Sequence, residues 1–174
     1  MKKNNFIKGF NVSRETLNSF CEYQTLLAKW NKKINLVSKN TLVDIWDRHF
    51  LDSGQIINHI DASGKTWVDV GAGAGFPGLV VALLLKDRKI DCDFTLVEKN
   101  KKKVFFLNEV IRNLNLNVKV VNSSIDCTEP LNADILTARA FSELKDLIQI
   151  AHHHRKEGGI CLFLKGENYK FELD

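Results

Sequence analysis

The segment that most constrains the fold of this chain runs from Trp67 to Gly78 and reads WVDVGAGAGFPG. A short apolar run ends in an acidic residue, a loop of alternating glycines follows, and the apolar run 79–85 comes next. This order predicts a buried strand, a tight turn and a helix, the opening unit of a nucleotide-binding α/β sheet. Glycines in the turn permit a sharp bend and let a ligand approach the backbone without meeting a Cβ atom.

The glycine spacing indicates which cofactor such a loop would bind. The dinucleotide pattern G-x-G-x-x-G fails because its sixth position, counted from Gly71, is Phe76. The pattern G-x-G-x-G, with Asp69 two residues ahead, instead resembles motif I of Rossmann-like S-adenosylmethionine (SAM) methyltransferases. An acidic residue at the strand end suits the cationic sulfonium and amino-acid tail of SAM. Glu98 ends the next apolar run, near the spacing of an acidic residue that binds ribose hydroxyls. The alternative is a purely structural turn with a surface glutamate.

Composition places the chain among ordinary globular proteins. Its 174 residues are 44% hydrophobic and 26% charged, which predicts a single domain with a real core. The net charge of +4 permits a polyanionic partner without requiring one. No apolar stretch approaches the length of a membrane span, so we expect a cytoplasmic protein.

Cysteine and histidine usage argues against metal sites and disulfides. The four cysteines form no C-x-x-C motif, which predicts reduced thiols; they are Cys21, Cys92, Cys127 and Cys161. The histidine run 152–154 closes a helical pattern, where consecutive side chains point in different directions. We therefore expect no bound metal.

Apolar periodicity divides the chain into an N-terminal helical extension, residues 1–62, and an α/β core, residues 63–174. The extension shows helical stripes at 13–30, with Ser13 as N-cap, and at 41–60. In the core, strands alternate with helices, which predicts parallel strands joined by right-handed crossovers. The predicted strands lie near 66–70, 93–98, 117–122, 133–138 and 159–165, and the predicted helices near 76–86, 100–115 and 142–154.

The predicted sheet is short at its C-terminal side. Methyltransferase sheets of this class usually carry two further strands, yet Asp174 lies about nine residues past the fifth predicted strand. Either the sheet is trimmed or this chain lacks the last strands. We expect a sheet of about five strands, or association through the fifth strand's edge.

The absence of two sequence motifs narrows the choice of methyl acceptor. The only prolines, Pro77 and Pro130, belong to neither a Pro-Pro-aromatic motif for adenine amines nor a Pro-Cys motif for pyrimidine C5. What remains is an acceptor with its own lone pair, such as guanine N7, or an oxygen or amine that needs a base from elsewhere. Guanine N7 loses no proton, so positioning alone could catalyse the transfer.

Several segments together are more specific than the glycine loop. They are WNKKINLVS at 30–38, RHFLDS at 48–53, DVGAGAGFPGL at 69–79, VEKNKKKVFFL at 97–107, RAF at 139–141 and LKG at 164–166. This set resembles the bacterial small-subunit ribosomal RNA guanine-N7 methyltransferases, a family also called glucose-inhibited division protein B. The resemblance covers nearly the whole chain.

The resemblance implies a Rossmann-like class I SAM-dependent methyltransferase. Its expected reaction is in-line methyl transfer to N7 of a guanine in 16S rRNA, in the conserved loop near the decoding site, without a general base. The expected partner is naked rRNA, the small ribosomal subunit or its assembly intermediate, and we expect a monomer. Two alternatives stay open: another RNA acceptor such as a ribose 2′-hydroxyl, and a non-catalytic RNA-binding module.

The resemblance also implies a set of cofactor residues. They are Asp69, Gly71, Ala72, Gly73, Gly75, Phe76, Leu79, Glu98, Ile125, Asp126 and Arg139. Ile125 and Asp126 match the family's adenine-contacting segment, which usually has arginine before this pair and glutamate at its end; Ser124 and Asp126 stand there instead. Arg139, at the end of the fourth predicted strand, is the candidate catalytic residue because strand ends line the cleft in such sheets.

The expected RNA-binding residues are Asn35, Arg48, His49, Lys101 and Lys165. Each has a structural alternative. Asn35 could cap a turn. His49 could be a satisfied core histidine, and Arg48 could pair with Asp44 or Asp52 at helical spacing. Lysines 99 and 101–103 at a helix start are either a phosphate-facing patch or a solvated face.

Overall fold

The computed structural model describes residues 2–172, which form a five-stranded parallel sheet with the strand order β3-β2-β1-β4-β5. The strands are β1 (Lys65–Val70), β2 (Cys92–Val97), β3 (Val118–Val121), β4 (Ala133–Arg139) and β5 (Arg155–Leu164). The helices between them are α5 (Gly78–Asp87), α6 (Lys101–Asn113) and α7 (Leu144–His154). The predicted parallel α/β core is therefore confirmed.

Within the described residues, the N-terminal extension contains helices joined by turns and no strand. It contains α1 (Lys2–Phe10), α2 (Arg14–Asn31), α3 (Lys39–Val43), a π-helical turn (Trp46–Leu51), α4 (Asp52–Gly54) and a 3₁₀ turn (Gln55–Asn58). The predicted cap of α2 is confirmed, because the Ser13 side chain accepts from the Thr16 amide. No helix within residues 2–172 is long and apolar enough to cross a membrane.

The continuous helix predicted over 41–60 is wrong, because this segment breaks into four short pieces. Ser38 caps α3, which ends at Val43, and the chain then widens into the π-helical turn. This turn packs the rings of Trp46 and Phe50 against Phe6 of α1, with centroids 5.5 and 6.3 Å away. Tertiary packing of aromatic rings has overridden the helical period.

The fifth strand begins earlier than predicted, at Arg155, directly after α7. Arg155 pairs with Ala133 and Ile160 pairs with Ile135, so the register shifts between these pairs. The extra residues of β5 include Gly158, whose φ is +74°. Within the described chain the sheet has five strands, as expected, and residues Glu167–Glu172 form a 3₁₀ helix.

Apolar packing covers both faces of the sheet. Trp67 of β1 belongs to one buried cluster, while its neighbours Val68 and Val70 belong to a second. The first cluster also contains Phe6 and Phe20 of the extension, so extension and sheet share one continuous core. This packing holds the extension against the sheet.

Parallel register aligns the C-terminal ends of the central strands. Val70 pairs with Val97 of β2 and with Ala138 of β4, and Arg139 pairs with Leu164 of β5. The loops that follow these strands therefore emerge at one edge of the sheet, where ligands bind in open α/β folds.

Candidate active site

The glycine loop is anchored by backbone hydrogen bonds at the end of β1. The amides of Gly71 and Ala72 both donate to the Val97 carbonyl, at 2.9 and 3.1 Å. Gly71, Gly73 and Gly75 all have positive φ, at 66°, 58° and 88°. The local sequence folds this way because left-handed backbone conformations favour glycine.

The three glycines face different surroundings. A Cβ on Gly71 would overlap the Phe141 ring, and one on Gly75 would overlap the Tyr23 hydroxyl. A Cβ on Gly73 would meet nothing closer than the Gly71 carbonyl oxygen, at 3.6 Å. Gly73 is therefore the position in this loop that borders open space.

Asp69 supports the loop from beneath. Its carboxylate is completely buried, with Oδ2 accepting from the Gly78 amide at 3.0 Å and Oδ1 from the Thr137 hydroxyl at 2.9 Å. Burial raises the pKa of Asp69 to about 7. Gly75 and Leu79 are also buried. Asp69, Gly75 and Leu79 therefore contact protein atoms on the interior side of the glycine loop.

Glu98 lies beside the glycine loop with acceptor capacity to spare. Its Oε2 accepts from the Gly73 amide at 2.9 Å and its Oε1 from the Asn100 amide at 2.8 Å. A carboxylate can accept about four hydrogen bonds, so two positions remain for ligand hydroxyls. Glu98 borders a cavity of 260 Å³, the Glu98 cavity, together with Ser124, Ile125 and Asp126.

Two further cavities continue along the same edge of the sheet. The loop cavity, 340 Å³, lies between residues 71–74 and the 36–38 segment of the extension. The Asp52 cavity, 380 Å³, lies between the π-helical turn and the ends of β4 and β5. The Glu98 and loop cavities share Gly71, Lys103 and Ala140, and the loop and Asp52 cavities share His49, Arg139 and Ala140. The three cavities form one cleft.

Arg139 connects the sheet to the extension across this cleft. Its Nη1 donates to the Arg48 carbonyl at 3.2 Å and to Asp52 Oδ2 at 3.1 Å, and its Nη2 lies 2.5 Å from His49 Nδ1. The guanidinium carbon also lies 5.0 Å from the centroid of the Phe76 ring. Asp52 thus pairs with Arg139, whereas the sequence suggested Arg48.

His49 is held as a neutral imidazole. Its ring stacks on Phe76 with centroids 4.6 Å apart and is 7% exposed. Burial, and secondly the charge of Arg139, lower the pKa of His49 to about 4. Because Arg139 donates to Nδ1, the proton resides on Nε2, which is buried and has no partner among the described residues. The interpretation of His49 as a satisfied core histidine is therefore correct for its burial and for Nδ1, but not for Nε2.

The remaining RNA-binding candidates lie in different environments. Lys101 is exposed at the start of α6, and Asn35 and Arg48 are exposed on the extension. Lys165 forms an ion pair with Glu172 at 2.6 Å and donates to the Ser142 carbonyl. The Lys165 ammonium therefore already has two partners within the protein.

Sequence reasoning missed several residues that shape the cleft. The turn after α2 is capped by Asn31 rather than Asn35, because Asn31 Oδ1 accepts from the amides of Leu36 and Val37. Phe141 covers Gly71. Asn31 and Asp52 lie within motifs that carried the resemblance, but nothing in the motifs indicated which partners they meet.

Side chains of the types that can ligate a metal are dispersed over the described residues. No cluster of three or more histidine, cysteine or acidic side chains within residues 2–172 is arranged to hold a metal ion. All four cysteines are free thiols.

The parallel sheet, the glycine loop and an acidic residue after the second strand define a SAM-dependent methyltransferase of the Rossmann-like class. A tRNA methyltransferase from Aquifex aeolicus has a similar fold, with a TM-score of 0.56 and 20% identity over 70% of this chain and 49% of its own. Residues 16–174 match the family model described as rRNA small subunit methyltransferase G, and the chain belongs to this family.

Curated relatives named ribosomal RNA small subunit methyltransferase G match over nearly the full chain. The protein from Cereibacter sphaeroides is 38% identical over 99% of this chain and 84% of its own length. The protein from Paramagnetospirillum magneticum is 46% identical over 93% of this chain and 77% of its own length.

Proposed function

We propose that this chain transfers a methyl group from SAM to N7 of a guanine in 16S rRNA of the small ribosomal subunit. Membership of the rRNA small subunit methyltransferase G family is the observation that carries the choice of rRNA. The expected substrate is rRNA, the assembled subunit or its assembly intermediate, and the expected site of action is the cytoplasm.

The residues of the cleft fit SAM. The free acceptor positions of Glu98 suit two ribose hydroxyls, and the open side of Gly73 accommodates a ligand against the backbone. Ile125 supplies an apolar contact for adenine, and Asp126 adds an acceptor beside it. SAM, when bound, supplies an electrophilic methyl group. Asp69 holds the loop that forms this site.

The low basicity of His49 favours guanine N7 over a ribose hydroxyl as the methyl acceptor. A 2′-hydroxyl must lose a proton, whereas guanine N7 attacks with a free lone pair. His49 is a weak base because its pKa is about 4 and Nδ1 accepts from Arg139. The protein's contribution is then to position the base, and we assign this catalytic role to Arg139, which lines both the loop and Asp52 cavities.

Basic residues around the cleft suit the phosphates of rRNA. Lys101 and Lys102 are exposed beside Lys103, which lines the cleft itself. Arg48 and Asn35 are exposed on the extension. Together they give the rim cationic and polar groups that RNA-binding proteins use to position the backbone.

Labelled-methyl transfer to small subunits from a strain lacking the modification tests this function. Digestion of the product should yield N7-methylguanosine at one position of 16S rRNA. Label in a 2′-O-methylated nucleotide would support the alternative acceptor. Tight RNA binding without any methyl transfer would support a non-catalytic binding module.

A further inference from the structure

The Asp52 cavity contains an accessible carboxylate that is not among the residues proposed to bind SAM. The Asp52 side chain is 42% exposed, although it accepts from Arg139 Nη1 at 3.1 Å and from Gln55 Nε2 at 3.2 Å. These contacts involve different oxygens and use about half of the acceptor capacity of a carboxylate. Each oxygen of Asp52 therefore retains a position for another donor.

The other carboxylate of this cavity, Glu172, makes two protein contacts through a single oxygen. Glu172 Oε2 accepts from the Leu144 amide at 2.7 Å and pairs with Lys165 at 2.6 Å. Leu164 and Ala140 supply an apolar wall. Asp52 is therefore the carboxylate of this cavity that keeps an acceptor position on each oxygen. Together with the apolar wall, this arrangement suits a nucleobase removed from its stack.

Among the four RNA bases, guanine suits this acceptor pair best. Its Watson–Crick edge presents two adjacent donors, N1–H and the N2 amino group, which one carboxylate can accept together in a bidentate arrangement. The Watson–Crick edges of adenine, cytosine and uracil each carry a single donor group, so none of them presents two adjacent donors. A guanine bound by this edge keeps N7 free on the opposite side of the purine.

We propose that Asp52 determines the base specificity of the enzyme by accepting from N1–H and N2–H of the target guanine. This inference rests on the proposed guanine acceptor. Arg139 holds the Asp52 carboxylate at the junction between the Asp52 and loop cavities, because it contacts Asp52 and lines both. A site built to bind a polar group discriminates strongly against an analogue that lacks the group.

Inosine in place of the target guanosine tests the proposal, because inosine retains N7 and N1–H but lacks the 2-amino group. Small subunits are reconstituted with 16S rRNA that carries guanosine, inosine or 7-deazaguanosine at the methylated position. We expect the wild-type kcat/KM to fall about 10-fold to 100-fold with inosine, the effect of one hydrogen bond to a charged group. Subunit affinity in the presence of S-adenosylhomocysteine should show the same preference.

Variants separate recognition from structural support. Asp52→Asn and Asp52→Ala should lower kcat/KM for guanosine and reduce the preference over inosine to less than about 3-fold. Gln55→Ala, which removes the other partner of Asp52, should retain the full preference. Equal use of both nucleosides by the wild-type enzyme, or full preference in the Asp52 variants, would overturn the proposal.

The 7-deazaguanosine substrate tests the underlying function separately. It retains the Watson–Crick edge but has no N7, so it should bind normally and accept no methyl group. Methylation of this substrate would overturn the N7 acceptor, while the inosine comparison would still decide the role of Asp52.

Discussion

At the scale of single residues, the glycine loop combines internal packing with ligand access. The absence of a Cβ at Gly71 and Gly75 leaves room for the side chains of Phe141 and Tyr23, which pack against the loop. Gly73 leaves room toward the cleft, and its amide donates to Glu98. The same residue type thus serves two purposes in alternate positions.

Gly73→Val should weaken SAM binding at least about tenfold, because the side chain enters the cleft and strains a left-handed backbone. Isothermal titration calorimetry measures the effect. Gly64→Val is the matched control: Gly64 has a similar φ of +64°, a Cβ added there would meet no atom within 4 Å, and it precedes β1 at the opposite end of the sheet. The control should lose similar stability yet bind SAM normally. Normal SAM binding by Gly73→Val would contradict this role.

Asp69 should make stability depend on pH. Its folded pKa is raised by burial from 3.8 to about 7, so the folded protein binds this proton more tightly than the unfolded chain does. The free energy of unfolding should therefore fall as pH rises from about 4 to about 7, by up to about 1.4 kcal/mol per pH unit. Asp69→Asn should lack this contribution. Urea unfolding across this range checks it, and parallel pH profiles of the two proteins would refute it.

At the scale of elements, α6 presents a different surface at each side. Phe106, Leu107 and Val110 are buried in the core, whereas Lys101 and Lys102 are exposed beside the cleft. The Asn100 side chain caps the helix by accepting from the Lys102 and Lys103 amides. Cations at a helix start are electrostatically unfavourable. Contact with phosphate would offset this cost, and a solvated face is the alternative.

Lys101→Ala with Lys102→Ala should make RNA binding less sensitive to salt. Each lost phosphate contact should reduce the slope of log affinity against log salt by roughly 0.7 to 0.9. SAM affinity should not change, because neither side chain lines the three cavities. Lys65→Ala with Lys89→Ala removes the same charge from exposed positions at the other end of the sheet and should leave the slope nearly unchanged. Equal slopes for both variants would assign the α6 lysines to a solvated face.

At the scale of the whole molecule, Arg139 spans the cleft and links segments that are distant in sequence. Its partners Arg48, His49 and Asp52 lie 87 to 91 residues away. The aromatic rings of the extension, including Phe6, Phe20 and Phe50, hold those partners against the sheet. The acceptor side of the cleft is therefore built by both parts of the chain.

Arg139→Ala should reduce methyl transfer at least about tenfold and affect SAM binding less. The variant loses contacts to a carboxylate, a carbonyl and His49, at a cost of roughly 1.5–3 kcal/mol. Hydrogen exchange of residues 46–51 should accelerate. Lys156→Ala, which removes the exposed ion pair with Asp134, should leave turnover and this exchange unchanged. Unchanged turnover in Arg139→Ala would contradict the catalytic role assigned to Arg139.

Local pattern was sufficient for the α/β core. Apolar runs, glycine spacing and the alternation of periods located all five strands, the loop at 71–75 and Glu98 at the edge of the cleft. These features depend on backbone geometry and burial over a few neighbouring residues, which a sequence displays directly. Even there, the early start of β5 depended on a register shift against β4 that periodicity does not encode.

The extension and the acceptor side of the cleft were decided by tertiary structure. The break in the helix over 41–60 follows from aromatic packing against α1. Asn31 takes the capping role because the chain turns back and brings the Leu36 amide within hydrogen-bond distance of its side chain. The contact between Arg139 and Asp52 depends on the same packing of the extension against the sheet. Sequence alone determined the parallel sheet, the glycine loop and the place of Glu98 after β2, whereas long-range packing decided which distant side chains meet, because such contacts depend on the mutual burial of distant segments.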